Sequence, residues 1–245
     1  IGGTSAGLIS GDKTVASNGL SDFWILKLNS TGDILWQKSI GGNDQESLNR
    51  MILTIDGNYL LSGSSRSSIS GDKTSNSRGL NDYWIVIIDT EGNIIGQKTI
   101  GGSESEGLTN IIETPDGKLW ALSNNGLFEF DKNGVNNSFF NVEKNLPKKN
   151  SFFDGFYDKK RNCIWLACGY DGIAQFDLSS QKFIFNELVD QKSLNANPSN
   201  FITLIAPKGE NEIWFVSYNL GIYTITNKQF ISYSPSFKDE FSFKT

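Results

Sequence analysis

The sequence predicts an all-β chain, and three observations carry that prediction. Its 245 residues include 25 Gly and a single Met, with 12% aromatic residues among 38% hydrophobic ones, enough apolar material for a core. No apolar period near 3.6 residues runs far enough for a long helix, whereas short apolar words such as "WIVII" (Trp84 to Ile88) alternate with turn signals. Most informative, the chain repeats itself. The stretch "ISGDKTVASNGLSDFWILKLNSTGDILWQKSIGG" (Ile9 to Gly42) returns sixty residues later as "ISGDKTSNSRGLNDYWIVIIDTEGNIIGQKTIGG" (Ile69 to Gly102), so each copy reads as one supersecondary module.

The clearest module reads as four strands. Leu48 to Ile55 and Tyr59 to Ser65 are joined by Asp56-Gly57-Asn58; Asp82 to Asp89 and Ile94 to Ile100 are joined across "TEGN" from Thr90. Asp, Gly and Asn tolerate the positive φ that tight hairpins demand. Four antiparallel strands in a repeated unit make a β-propeller blade. The unbroken run "WIVII" agrees, because a sheet covered on both faces loses the alternation of a half-exposed strand. Matches sixty residues apart extend through Asp22/Asp82, Trp24/Trp84, Gln37/Gln97, Gly41/Gly101, Glu46/Glu106 and Thr54/Thr114.

After Gly117 the wording changes to "GKLWALSNNGLFEFD" (Gly117 to Asp131), "NCIWLACGYDGIAQFD" (Asn162 to Asp177) and "NEIWFVSYNLGIYTI" (Asn211 to Ile225). Trp120, Trp165 and Trp214 recur 45 and 49 residues apart, and Gly126, Gly172 and Gly221 mark the turn between second and third strands. The expected organisation is a single propeller domain over 1–245, with long-loop repeats over 1–117 and shorter ones over 118–245. Blades fall at 1–41 (a remnant), 48–102, 108–143, 152–188 and 199–233. That gives about five, closed by the tail Lys238 to Thr245 completing the first blade, or else an arc of a larger ring.

Composition narrows the chemistry. A net charge of −5 and a pI near 4.9 argue against a nucleic-acid partner, since phosphate binding needs clustered Lys and Arg. The one basic run, Asp158 to Arg161 ("DKKR"), reads as a solvated turn. No stretch approaches the roughly 18 apolar residues of a membrane span. The opening at Ile1, without Met or leader, fits a processed secreted chain or a fragment. Cys163 and Cys168 are five apart in one strand word, which places them on opposite faces and predicts two free thiols. Two Cys and no His remove structural zinc, Ser-His-Asp and Cys-His catalysis and His-ligated metals. No cofactor is expected, with calcium the one ion weighed.

Two resemblances follow from these words. Residues 9–117, with "SGDKT", "NDYWIVIIDTEGN", "GQKTIGG" and "ETPDG", resemble repeats of large secreted Bacteroidota proteins that often end in a type IX sorting domain. That implies an extracellular propeller module without known catalysis. Residues 115–225, with "DGKLWALSNNGLFEFD" and "NEIWFVSYNLGIYTI", resemble the two-component regulator propeller repeat, whose blades form periplasmic sensors, often for oligosaccharides. Together they imply an extracellular, cell-surface or periplasmic location.

Candidate sites divide between rim and channel. The copied "ISGDKT" loops and the "IGGNDQE" and "IGGSESE" turns should lie side by side on one rim, with Gly11 and Gly71 in turns and Asp12, Asp72, Thr14 and Thr74 capping backbone donors. Asp12, Asp22, Asp44, Asp72, Asp82, Glu46, Glu104 and Glu106 could offer oxygens to calcium, but no run has the spacing of a calcium loop, so capping is expected. Trp24, Trp84, Trp120, Trp165 and Trp214 are assigned to packing between blades and Trp36, matched by Gly96, to a surface. First strands line the channel of a propeller, which brings forward Arg50, Asn110, Asp154 and Asn200 as a polar ligand site. Only Asp154 is acidic, too few for two-carboxylate sugar hydrolysis. The reading is a non-catalytic secreted or cell-surface propeller that binds a glycan or protein. A periplasmic sensor propeller and a carboxylate-based polysaccharide enzyme are the alternatives.

Overall fold

A computed structural model describes residues 1–105, 107–123, 126–131, 138–141, 152–169, 172–185, 201–216, 221–224, 226 and 229–232. Among them there is no helix. The described residues form nineteen strands in five antiparallel sheets, each joining neighbours in chain order. The first sheet has three strands, β1 (Gly2–Ala6), β2 (Ser21–Leu28) and β3 (Ile34–Ile40). The second has β4 (Glu46–Leu53), β5 (Tyr59–Ser65), β6 (Asp82–Ile88) and β7 (Ile94–Ile100). The third has β8 (Leu108–Glu113), β9 (Leu119–Ser123), β10 (Gly126–Phe130) and β11 (Ser138–Asn141). The fourth has β12 (Asp154–Asp158), β13 (Cys163–Ala167), β14 (Ile173–Asp177) and β15 (Lys182–Phe185). The fifth has β16 (Leu204–Lys208), β17 (Glu212–Val216), β18 (Gly221–Thr224) and β19 (Gln229–Ser232).

The expected strands of the second module match β5 and β7 at both ends. The first begins and ends two residues earlier than expected, and its end falls where the chain turns at Thr54. There Thr54 N–H donates to Asn58 O at 2.8 Å, and Gly57 takes a φ of 84° to close the turn. Register irregularities repeat with the period of the sequence: β2 and β6 shift at Lys27/Leu28 and Ile87/Ile88, and β4 and β8 at Leu48/Arg50 and Leu108/Asn110. Sixty-residue equivalence also identifies β1 with β5, so among the described residues the three-stranded first sheet has no counterpart of β4.

The chain separates into two compact units, Ile1–Asn141 and Val142–Thr245. In the first unit three sheets stack through apolar faces. Every residue of β6 is buried. Trp84, Val86 and Ile88 pack with Phe23, Ile25 and Ile40 of the first sheet, whereas Tyr83, Ile85 and Ile87 pack with Leu108, Ile111, Leu119 and Ala121 of the third. Alternation along one strand thus feeds two cores. In the second unit Cys163, Trp165 and Ala167 pack against Ile205, Ile213 and Phe215.

Both cysteines are free and buried, as expected. Trp84, Trp120 and Trp165 are buried, as their packing role requires. Trp214 departs from it and is 36% exposed. Trp165 lies under the fifth sheet, whereas Trp214, one sheet later in the same strand position, points away from that core and carries Lys208 Nζ 4.8 Å from its ring centre. The tail Lys238 to Thr245, assigned to closing the first blade, lies outside the described residues.

Candidate functional site

The copied loops join one sheet to the next. In the second module, Asp72 Oδ2 accepts from Gly41 N–H at 3.1 Å and from Asn18 Nδ2 at 2.9 Å, and Asp72 N–H donates to Gly41 O at 2.9 Å. Ser70 Oγ accepts from Asn43 N–H at 3.0 Å and Ser67 Oγ from Asp44 N–H at 2.9 Å. The loop before β6 therefore grips the Gly-Gly turn after β3, and the rim turns lie side by side as the sequence suggests. A Cβ on Gly71, at φ 54°, would stand 2.4 Å from Gly41 O, so this contact requires glycine.

Parts of the capping expectation are corrected. Thr14 and Thr74 contribute backbone N–H groups to Gln37 Oε1 and Gln97 Oε1, at 3.0 and 3.1 Å. A glutamine amide holds each loop by also donating to Asp12 O or Asp72 O. The Asp72 carboxylate caps a neighbouring module, not its own loop. Asp12 is exposed, and its carboxylate hydrogen-bonds to none of the described residues.

Beneath this rim lie buried carboxylates. Asp22 Oδ2 accepts from Asn18 N–H at 2.6 Å and Ser39 Oγ at 2.9 Å. Glu46 Oε2 accepts from Gly42 N–H at 2.8 Å, and its Oε1 from Ser65 Oγ and Ser67 Oγ, both at 2.7 Å. Lys73, 1% exposed, donates to Thr99 Oγ1 at 2.8 Å. Burial pushes its pKa down, and the charges of Asp82 and Glu46 oppose that shift. Burial likewise pushes the Asp72 pKa up, against the donation from Gly41. Among the described residues no three acidic, Cys or His side chains are grouped to hold a metal ion; Glu106 lies outside them.

The four channel candidates divide differently. Arg50 is exposed on β4 and Asn110 is 1% exposed on the neighbouring β8, both just past the register shift of their strands. Asn110 Oδ1 accepts from Ile111 N–H at 2.7 Å, and Asn49 Nδ2 ties β4 to Leu108 O at 2.6 Å. Asp154, 8% exposed on β12 in the second unit, accepts from Ile205 N–H of β16 at 3.1 Å. Asn200 lies outside the described residues.

One groove carried no sequence signal. The turns after β12 and β16 enclose about 610 Å³ lined by Phe156, Tyr157, Asp158, Lys159, Lys160, Pro207, Gly209, Glu210, Glu212 and Ile213. Lys160 pairs with Glu210 at 2.9 Å, and Arg161 Nη1 reaches both Asp158 Oδ2 at 2.8 Å and Glu210 O at 3.1 Å. The "DKKR" turn is thus a fastening between two sheets. Burial, the largest influence on Asp158, acts to raise its pKa, but donations from Arg161 and Trp165 outweigh it and the net shift is downward.

No family model matches the sequence, and no curated protein does. Solved structures do. The chain is similar to a protein of unknown function from Bacteroides caccae, at 12% identity and a TM-score of 0.54, over 86% of this chain and 72% of that one. It is also similar to a chain of the Mitotic Checkpoint Complex, at 10% identity and a TM-score of 0.56, over 86% of this chain and 56% of that one. A third likeness is to the RRP9 WD40 repeats, at 7% identity and a TM-score of 0.52, over 77% of this chain and 51% of that one. This chain thus spans about half the length of the last two. At such identities the likeness is one of fold: an all-β chain with several four-stranded antiparallel sheets, resembling propeller-type neighbours.

Proposed function

We propose that this chain is a non-catalytic binding or scaffold module, displayed outside the cell or on its surface, whose five sheets are blades of a propeller. The observation that carries the reading is the use of its buried acidic groups. Asp22, Glu46 and Asp154 each accept from backbone or hydroxyl donors, and Asp154 does so across the junction between the fourth and fifth sheets. Carboxylates held in this way stabilise the array and leave little freedom for proton transfer to a substrate. The wording of residues 9–117 supports an extracellular setting. A neighbour found in a named protein complex makes a protein partner reasonable, alongside a glycan.

Ligand contact is assigned to the first strands of the sheets, with Arg50 as the exposed cation and Asn110 in the first unit, and with Asp154 and Asn200 in the second. The chain is expected to release no reducing ends from a polysaccharide panel. On glycan and protein arrays it should retain a partner that Arg50→Ala weakens without lowering Tm. Turnover abolished by a folded Asp154→Asn variant would overturn the non-catalytic reading.

A further inference from the structure

The two copies of the "SGDKT" loop have the same internal form and different surroundings. Ser10 bridges Lys13 as Ser70 bridges Lys73, and Gly11 and Gly71 take φ values of 57° and 54°. Gln37 and Gln97 brace them alike. These contacts use the backbone of the Lys and Thr and the side chain of the Gln in each copy. They do not account for Asp12. Its counterpart Asp72 holds the Gly-Gly turn and Asn18 of the preceding sheet, whereas the Asp12 carboxylate hydrogen-bonds to no described residue. Where Gly71 presses on Gly41 O, a Cβ on Gly11 would meet nothing within 4 Å.

The strand that follows shows the same contrast. Trp84, Val86 and Ile88 are fully buried against Phe23 and Ile25 of the preceding sheet, with the Phe23 and Trp84 rings 5.2 Å apart. Sixty residues earlier, Trp24, Leu26 and Leu28 occupy the same face of β2 and are only half-buried. An apolar row and an acceptor loop, which work together in the second module, thus stand together in the first with neither fully engaged.

We infer that the Trp24-Leu26-Leu28 face and the Asp12 loop form a docking surface for one further sheet of the same 60-residue type, placed ahead of this one in the array. The second module defines the occupant: an apolar pair like Phe23 and Ile25 to cover the row, and a Gly-Gly turn with a nearby side-chain amide to satisfy the carboxylate. A second copy of this chain does not supply it, because its own Phe23-Ile25 face is already covered by Trp84, Val86 and Ile88. The inference rests on the stacked-blade reading and is independent of whether the protein is catalytic.

The test compares the 245-residue chain with one in which residues 1–60 are duplicated in tandem. The seam joins Leu60 to Ile1, the counterpart of Leu61, and keeps register. In the 245-residue chain Asp72→Ala is expected to lower Tm by about 3 °C, with Asp12→Ala silent. In the extended chain, Asp12→Ala in the inner copy should lower Tm as Asp72→Ala does. Amide exchange over the inner Trp24 to Leu28 should also slow at least about tenfold. An Asp12→Ala effect already present in the 245-residue chain would mean that the chain covers this face itself, and would overturn the inference without needing the extended chain to fold. A silent inner Asp12→Ala in a folded extended chain would overturn it too, as would dimerisation of the 245-residue chain that Leu26→Glu abolishes. A silent Asp72→Ala would count against the stacked-blade reading itself.

Discussion

Single residues here are defined by what covers them. Burial first, and then the nearby charge of Asp158, push the Cys163 thiol up to about 12, so its thiolate is scarce at neutral pH. Alkylation of the native chain at pH 7.5 should label neither cysteine, while titration in denaturant should count two thiols. Asp72 is a second case. Its folded pKa is raised above an unfolded value near 3.9. The stability linked to its proton is therefore fully present below about pH 4 and lost as pH rises through the folded value. Asp72→Asn can place its single amide oxygen where Oδ2 accepts from Gly41 and Asn18. The stability of that variant relative to the natural chain should therefore rise between pH 4 and pH 7, measured by denaturant melts. A relative stability that falls over this range would refute the assignment.

At the scale of elements, position in the stack sets the value of a side chain. Trp165→Ala should cost about 3–5 kcal/mol, because the indole is enclosed between β13 and the fifth sheet. Trp214→Ala should cost less than about 1 kcal/mol, since its ring is met by the Lys208 ammonium and is partly open to solvent. Calorimetry of the two variants would check the ranking. Sequence words alone treat these tryptophans as equals, because "IW" in a strand records the local pattern and not what lies above it. Strand positions were legible for the opposite reason: the Asp56-Gly57-Asn58 turn and the unbroken apolar run of β6 are local signals. The groove beside Asp158 was not legible, since Lys160 and Glu210 lie in turns fifty residues apart and meet only when two sheets stack. The asymmetry between Asp12 and Asp72 was likewise hidden behind identical letters.

For the whole molecule, stability is expected to behave as a sum of sheets and nearest-neighbour junctions, with the junction between the first two sheets made of an apolar interface and a polar rim. The repeat is copied in its loop as well as in its strands because the loop supplies the rim. That account concerns structure, and it is why a polar, apparently idle hexapeptide is reproduced without change. The most direct test is a double-mutant cycle of Asn18→Ala and Asp72→Ala, with stability measured by denaturant unfolding of the full chain. The two side chains are 54 residues apart and hydrogen-bonded at 2.9 Å across two sheets. The account predicts a coupling of about 1 kcal/mol between them. Strict additivity of the two single effects would contradict it and reduce the copied loop to an independent surface turn.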